Sequence, residues 1–272
     1  MKRFVLGLAA VGLAVGAAAC QPTSASPVWD AGGPTSSAPS PTASPSETPA
    51  PAPTTAAPSP TTPATTAPAK PVCTKGKYQL EVEQILVAMG GFGTVKADGE
   101  QSDSDCAAIK KFQSRFGLRP VDGNPGTATH DVAKRLKASD PSLCEAGTAL
   151  TACIDLTHQT TWLMKDGKVI HGPTVTRTGF NHPDGHGAPT PSGTYKIIER
   201  QRNNWTETFK VYLPYWQRIM DDNGFHETTS YIHDMSLGSH GCVNLLHVDA
   251  VAYWDTITVG TTVKLFGRRP GT

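Results

Sequence analysis

The feature that most limits how this chain can fold is a stretch built almost entirely from four residue types. Between positions 31 and 70 every residue is Pro, Ser, Thr or Ala, except Gly32, Gly33, Glu47 and Lys70. Such a segment cannot bury enough apolar surface to offset the entropy lost on ordering, so we expect it to stay unfolded. The sequence therefore predicts a disordered linker over residues 21–72 and confines the folded cores to the residues that follow it.

The residues before the linker, MKRFVLGLAAVGLAVGAAAC, have the pattern of an export signal. Lys2 and Arg3 precede an uncharged run that is too short and too rich in Gly and Ala for a membrane-spanning helix. The closing AAAC resembles a lipobox, which predicts a signal over residues 1–20 with Cys20 as a lipidated first residue. Cleavage at an Ala-x-Ala site, with Cys20 as an ordinary cysteine, is the alternative. A multiply acylated Cys20 would anchor the chain to the membrane.

The number of cysteines indicates which of them pair if Cys20 is lipidated. There are six of them, at positions Cys20, Cys73, Cys106, Cys144, Cys153 and Cys242. Export implies an oxidising compartment in which cysteines pair, and lipidation of Cys20 leaves an odd number. The simplest connectivity joins sequence neighbours and gives the pairs Cys73–Cys106 and Cys144–Cys153. Cys242 is then the unpaired thiol; a Cys20–Cys242 bridge is the arithmetic alternative if Cys20 is not lipidated.

The residues after the linker are numerous enough for two modest domains. The net charge is +1 and no cluster of basic residues stands out, so nucleic acid is not an expected partner. Apolar residues recur at helical spacing in the first part and alternate in the second. We expect a multidomain α + β protein, with a small three-helix domain over residues 73–140 and a mainly β domain over residues 150–268.

Three helices are predicted in the first domain, from the stretches YQLEVEQILVAMGG, SDCAAIKKFQSRFG and TATHDVAKRLKAS. Gly90 marks the end of the first helix. Ser104 or Asp105 is available to cap the start of the second helix, and Gly117 is available to close it.

This first domain resembles the peptidoglycan-binding domain 1 family. The shared pattern is an Asp-Gly loop, a helix ending in Phe-Gln and a second Asp-Gly turn before the last helix. The matching residues are Asp98, Gly99, Phe112, Gln113, Asp122, Gly123, Gly126 and Thr129. The first loop departs from the pattern, with Ser102 and Asp105 in place of Gly and Thr. The resemblance implies a three-helix fold and binding of cell-wall glycopeptide, although some such modules are only spacers.

The second domain alternates apolar and polar residues around KDGK, which predicts a β-hairpin. SGTYKIIE, TFKVYLPYW and TTVKLFG predict further strands, and HVDAVAYWDTI predicts a helix. Cys242 lies in GSHGCVNLL, on a loop just before that helix. Gly238 and Gly241 suit a tight backbone whose N–H groups face a bound oxyanion.

A cysteine becomes a strong nucleophile as a thiolate, which requires a histidine or another positive partner nearby. Three histidines are candidates, namely His226, His233 and His240. His240 lies two residues before Cys242 in a tight loop, which favours a structural role for it. His226 follows a strand-like Gly-Phe, and His233 is followed by Asp234.

The stretch GFHETTSYIHDMSLGSHGCVN, with GAPTPSGTYKI upstream, resembles the L,D-transpeptidase catalytic domain of the YkuD-like family. The resemblance implies that Cys242 is the nucleophile and His226 is its base or imidazolium partner. It also implies an oxyanion hole formed by backbone N–H groups around His240, Gly241 and Cys242. Ser239 and Asn244 would order the loop. The spacer after His226 is short for the family, which keeps His233 as the runner-up base.

The resemblance implies acyl transfer to peptidoglycan stem peptides at the cell wall, outside the membrane. Cys242 would form a thioester, release the terminal D-Ala of a tetrapeptide stem and pass the acyl group to a second stem as a 3→3 cross-link. No cofactor is implied. Alternatives are an L,D-carboxypeptidase of the same fold and a non-catalytic lipoprotein that anchors membrane to wall. A zinc peptidase built on His182 and His186 is disfavoured because Asn, Pro, Asp and Gly make that segment a loop.

Overall fold

The computed structural model describes residues 73–182 and 185–272. The predicted signal over residues 1–20, with Cys20, and the predicted linker over residues 21–72 lie outside them. None of the helices in the described part of the chain has the length and apolar character needed to cross a membrane.

The first described region is helical. Its elements are α1 (Gln79–Met89), α2 (Asp103–Arg115), α3 (Thr127–Ala138) and a 3₁₀ turn (Pro141–Cys144). Apolar side chains of the three α-helices meet in one core, whose fully buried members include Val82, Leu86, Ile109, Phe112, Val132 and Ala133. Each helix has an apolar stripe, and burial of these stripes in the common core stabilises all three.

The second helix begins and ends differently from the expectation. Ser102 is its N-cap, rather than Ser104 or Asp105, because Ser102 and Asp105 form a capping box in which each side chain accepts the other's backbone N–H. Phe116, rather than Gly117, is the C-cap. Gly117 follows with a φ of 66°, the left-handed conformation that commonly closes a helix just beyond its cap.

The second region consists mainly of strands. In chain order these are β1 (Thr151–Asp155), β2 (Thr160–Lys165), β3 (Lys168–Val175), β4 (Gly193–Lys196), β5 (Glu199–Thr206), β6 (Val211–Met220), β7 (Asn223–Glu227), β8 (Val243–Leu245) and β9 (Thr262–Phe266). Helix α4 (His247–Thr256) connects β8 to β9. The expectation of a helical region followed by a mainly β domain is confirmed.

The strands form two sheets that share one core. One sheet has the order β3-β2-β1-β9-β4 and the other the order β5-β6-β7-β8. The pairs β1–β9 and β7–β8 are parallel. Apolar residues from both sheets and from α4 pack together, including Ile154, Leu163, Leu265, Phe225, Val243 and Tyr253. Strand β8 lies at the end of the second sheet and is buried, and the loop before it is largely buried as well.

Two disulfides join the pairs expected from the cysteine count. Cys73 is bonded to Cys106 in the helical region, and Cys144 at the 3₁₀ turn is bonded to Cys153 in β1. Within the described residues, Cys242 is the free cysteine.

A buried carboxylate ties the helical region to the β domain. The side chain of Asp249 in α4 is completely buried. It accepts hydrogen bonds from both terminal nitrogens of Arg115 in α2, at 3.1 and 2.7 Å. His171 Nε2 and Thr174 Oγ1 of β3 complete its shell at 2.8 and 2.7 Å. A buried charge requires hydrogen-bonding partners, and Asp249 obtains them from both regions. The contact between the helical region and the β domain therefore stabilises the buried carboxylate.

Helix α3 makes a second attachment next to β3. Arg135 donates to the backbone oxygens of His158 and Gln159 at 2.8 and 2.6 Å and to that of Thr176 at 3.1 Å. Val175 and Ile232 of the β domain are buried in the core of the helical region. Helix α3 therefore holds the backbone just before β2 and just after β3.

Candidate active site

The fold brings together a cysteine and a histidine that lie apart in sequence. Cys242 immediately precedes β8, whose parallel pairing with β7 sets His226 opposite Asn244 and Phe225 opposite Val243. Cys242 and His226 both line one cavity of about 520 Å³. The sheet register thus explains why a histidine upstream of the loop shares a cavity with the thiol.

The loop Gly238–Cys242 requires its glycines. Gly238 and Gly241 have φ values of 65° and 130°. A Cβ on Gly241 would lie 2.2 Å from Asn223 Oδ1, so any larger residue would displace that side chain. Ser239 Oγ donates to the backbone oxygen of Cys242 at 2.6 Å and accepts from the N–H of Gly241 at 3.2 Å. Ser239 therefore ties the two ends of the loop together.

His226 is buried and held as a neutral ring. Its Nδ1 lies 2.7 Å from the backbone oxygen of Glu227, which can only accept, so Nδ1 bears the hydrogen. Its Nε2 accepts from Asn244 Nδ2 at 2.8 Å. Burial lowers the pKa of His226 to about 4. At neutral pH the ring is therefore an uncharged base with its lone pair on Nε2.

Arg177, which the sequence reasoning missed, sets the orientation of Asn244. Its Nε and Nη2 lie 3.3 and 3.2 Å from Asn244 Oδ1. A guanidinium only donates, so the amide oxygen faces Arg177 and the amide nitrogen faces His226. The positive charge of Arg177 also contributes to the low pKa of His226, after burial. The one sequence signal was a charged residue in TVTRTG, among small and apolar neighbours.

Arg177 also reaches the segment between the histidine and the cysteine. Nη1 donates to the backbone oxygen of Tyr231 at 2.8 Å, and Nη2 donates to Ser230 Oγ at 2.7 Å. The guanidinium thus connects the amide beside His226 with the loop that leads toward Cys242.

Cys242 is half-buried and holds its proton in the resting state. Sγ lies 3.8 Å from the backbone oxygen of Asp222. Burial raises the pKa of the thiol to about 11, and the negative charge of Asp222 adds to this rise, while a hydrogen bond from the backbone of Gly224 opposes it. The resting pair is therefore a thiol and an imidazole, not a thiolate and an imidazolium.

The other two candidate histidines lie differently. His233 Nε2 lies 2.6 Å from the backbone oxygen of Phe116, at the contact with the helical region, and His233 is not among the residues that line the cavity. His240 does line it, with its ring centroid 4.2 Å from that of His182 and 4.3 Å from that of Phe209. His226 therefore has both a place in the cavity and a ring held by hydrogen bonds to Glu227 and Asn244.

His182 and His186 do not assemble a metal centre in the described part of the chain. No group of three or more His, Cys, Asp or Glu side chains there is arranged to hold a metal ion. His182 instead lines the cavity beside His240.

Comparison with known proteins identifies two family domains in the chain. Residues 150–265 match the family model of the YkuD L,D-transpeptidase catalytic domain, and residues 80–132 match that of the peptidoglycan-binding domain. No curated protein matches the sequence.

Solved structures of L,D-transpeptidases match the chain as well. One from Stackebrandtia nassauensis is 46% identical, with a TM-score of 0.70, and the match covers 74% of this chain and 97% of that one. One from Xylanimonas cellulosilytica is 22% identical over 71% of this chain and 95% of that one, with a TM-score of 0.43. One from Enterococcus faecium is 26% identical over 44% of this chain and 50% of that one, with a TM-score of 0.37. On the strength of the first match, which spans nearly the whole of its partner, the chain belongs to the L,D-transpeptidase family, with a YkuD catalytic domain that follows a peptidoglycan-binding domain.

Proposed function

We propose that this protein forms 3→3 cross-links in peptidoglycan through a thioester on Cys242, and that it releases the terminal D-Ala of a tetrapeptide stem. The observation that supports this most directly is the shared cavity, which has a free thiol and a neutral histidine in its lining. A hydrolase of the same fold would use the same groups with water as the acceptor, so the product decides between the two.

In the first half-reaction, Cys242 Sγ attacks the carbonyl carbon that precedes the terminal D-Ala. Because both groups start uncharged, the thiol proton moves to His226 as the sulfur–carbon bond forms. His226 then protonates the leaving amine of D-Ala. The hydrogen bond from Nδ1 to the backbone oxygen of Glu227 fixes the tautomer, and Nε2 takes the proton as it gives up its hydrogen bond from Asn244.

The tetrahedral intermediate places negative charge on the former carbonyl oxygen. We assign its stabilisation to backbone N–H groups of the loop His240–Cys242. In the resting state the N–H of Gly241 is 3.2 Å from Ser239 Oγ, a long hydrogen bond that can be exchanged for one to the oxyanion. Because the glycine conformation fixes this backbone, the donors need little reorganisation.

In the second half-reaction, the side-chain amine of another stem attacks the thioester. An amide forms and the thiol is regenerated. A thioester retains enough free energy for this transfer without a nucleotide, and no cofactor takes part. The helical domain would hold the enzyme to the polymer through its glycopeptide.

We also propose that the chain is exported and lipid-anchored at Cys20, with the Pro-rich segment as the tether between the membrane and the wall. Support comes from the signal-like start and the closing AAAC. Detergent-phase partitioning tests this. The full chain should partition with the detergent, and Cys20→Ala should remain in the aqueous phase; equal partitioning would contradict the anchor.

The cross-linking proposal is tested with purified disaccharide-tetrapeptide as both donor and acceptor. We expect a 3→3 cross-linked dimer and free D-Ala, in amounts that match, and neither product from Cys242→Ala. Release of D-Ala with the hydrolysed tripeptide as the other product would show that the protein is a carboxypeptidase. If no D-Ala is released, the non-catalytic anchoring role is supported instead.

A further inference from the structure

A carboxylate lines the cavity that contains the nucleophile, and its charge hinders the first half-reaction. Asp222 is exposed, lines the cavity and has its backbone oxygen 3.8 Å from Cys242 Sγ. Its negative charge favours the protonated thiol. A negative charge at this position opposes thiolate formation. If Asp222 assists the reaction, it therefore does so in another step.

The second half-reaction provides such a step. Its nucleophile is a primary amine on a flexible side chain, which arrives at neutral pH as an ammonium ion. Once the thioester has formed, the sulfur bears no charge, and a neighbouring carboxylate no longer opposes the chemistry. The same carboxylate attracts the ammonium and holds it with a charge-assisted hydrogen bond near the acyl carbon.

The other carboxylates of the cavity already have partners. Glu199 is paired with Arg218 at 2.7 Å, and Glu207 accepts from Trp205 Nε1 at 2.6 Å. Within the described residues, no Lys, Arg or His forms an ion pair with Asp222. Among the described residues of the lining, Asp222 is thus the carboxylate with neither an ion pair nor a side-chain hydrogen bond, and its backbone oxygen contacts the thiol.

The position of Asp222 is fixed by its neighbours. It lies in the turn between β6 and β7, next to Asn223, whose side chain contacts the loop glycine Gly241. On the other side, Gly224 is paired with Arg218 in the sheet. The turn is therefore attached both to the catalytic loop and to the sheet, which places Asp222 at the edge of the cavity.

We propose that Asp222 is the binding site for the acceptor ammonium and that it selects amine over water, an inference that rests on the proposed transpeptidase function. The amine nitrogen forms a bond to the thioester carbon and the carbon–sulfur bond breaks. Of the two protons that the ammonium loses, one passes through His226 to the thiolate and the other passes through Asp222 to solvent. The products are the amide, the free thiol and one released proton.

The test compares Asp222→Asn with the neighbouring Asp221→Asn, which removes the same charge from an exposed residue outside the cavity lining. The ratio of cross-linked dimer to hydrolysed tripeptide is measured over a range of acceptor concentrations. We expect Asp222→Asn to lower this ratio by about fivefold to tenfold, with donor acylation at least as fast as before. Asp221→Asn should keep the original ratio.

Hydroxylamine, which is uncharged at neutral pH, provides a second acceptor. Aminolysis by hydroxylamine should be equal in Asp222→Asn and the unchanged chain, because no ammonium needs the carboxylate. An unchanged dimer-to-tripeptide ratio in Asp222→Asn, or equal losses with both acceptors, would overturn the assignment. If the unchanged chain forms no acyl-enzyme, the proposed function itself fails, and this inference fails with it.

Discussion

Because Cys242 is a neutral thiol at neutral pH, its rate of alkylation should depend steeply on pH. With a pKa of about 11, about one thiol in ten thousand is ionised at pH 7, and this fraction rises about tenfold per pH unit up to pH 10. Since the thiolate is the reacting species, alkylation should be about a hundredfold faster at pH 9 than at pH 7. A free cysteine, with a pKa near 8.5, should react a few hundredfold faster than Cys242 at pH 7.

The assay is alkylation by iodoacetamide with the disulfides intact, followed by mass spectrometry of the peptide that contains Cys242. A short cysteine peptide in the same tube serves as the reference, and His226→Gln should leave the slope unchanged because His226 does not ionise the resting thiol. A rate that is already constant between pH 6 and pH 8 would refute the reasoning. It would show a thiolate–imidazolium pair in place of two neutral groups.

Three further predictions concern buried polar groups, two at the site and one at the contact between the helical region and the β domain. The pKa of His226 is lowered from 6.5 to about 4 on folding, so the unfolded chain takes up a proton first as pH falls. The free energy of unfolding should therefore fall by about 2 kcal/mol more in the unchanged chain than in His226→Gln when the pH is lowered from 7.5 to 5, as measured by urea unfolding at both pH values. Equal decreases in the two proteins would argue against a buried neutral ring. Arg115→Ala leaves Asp249 buried without its bidentate partner, and should cost about 3 kcal/mol and lower Tm by about 6–12 °C in thermal unfolding; a shift below about 2 °C would contradict the buried pair. Arg177→Gln frees the amide of Asn244, so acylation should slow by about tenfold. The substitution also removes a charge that lowers the pKa of His226, so the acid limb of the pH profile of acylation should move to higher pH. If that limb stays in place, the role of Arg177 is purely structural.

Local sequence patterns predicted the parts of the molecule that local physics determines. The helices follow from apolar periodicity, and the β-hairpin turns at Asp166 and Gly167 as KDGK indicates. The cysteine count and the glycine-flanked loop indicated Cys242, the resemblance to the L,D-transpeptidase family selected His226 from three histidines, and the structure sets both in one cavity.

The parts that escaped prediction depend on contacts between distant segments. Arg177 reaches Asn244 only because the segment after β3 runs beside β8, with Arg177 and Asn244 forming a bridge. Asp222 comes near Cys242 only through the pairing of β7 with β8. Likewise, Asp249 in α4 gave no sign in the sequence that it would be buried against Arg115 of another domain. Sheet register and domain contact decide these positions, and neither is visible in a single strand or helix.

The start of the second helix, by contrast, has a local signal in the sequence. Ser104 and Asp105 are both good capping residues, but the spacing Ser102-x-x-Asp105 is that of a capping box and favours Ser102. Because of the reciprocal hydrogen bonds between Ser102 and Asp105, the helix begins at Asp103, earlier than a cap at Ser104 or Asp105 would allow. Capping boxes are therefore worth testing at every Ser or Thr that precedes an acidic residue by three positions.

The central claim is that Cys242 becomes acylated by a tetrapeptide stem, and the mass of the intact protein tests it most directly. After brief mixing with a disaccharide-tetrapeptide donor and rapid acid quenching, we predict a mass increase equal to the donor less D-Ala. Proteolysis should locate this increase on the peptide that contains Cys242, and Cys242→Ala should show none. A donor that releases D-Ala without forming an adduct on Cys242, or release that persists in Cys242→Ala, would contradict the account.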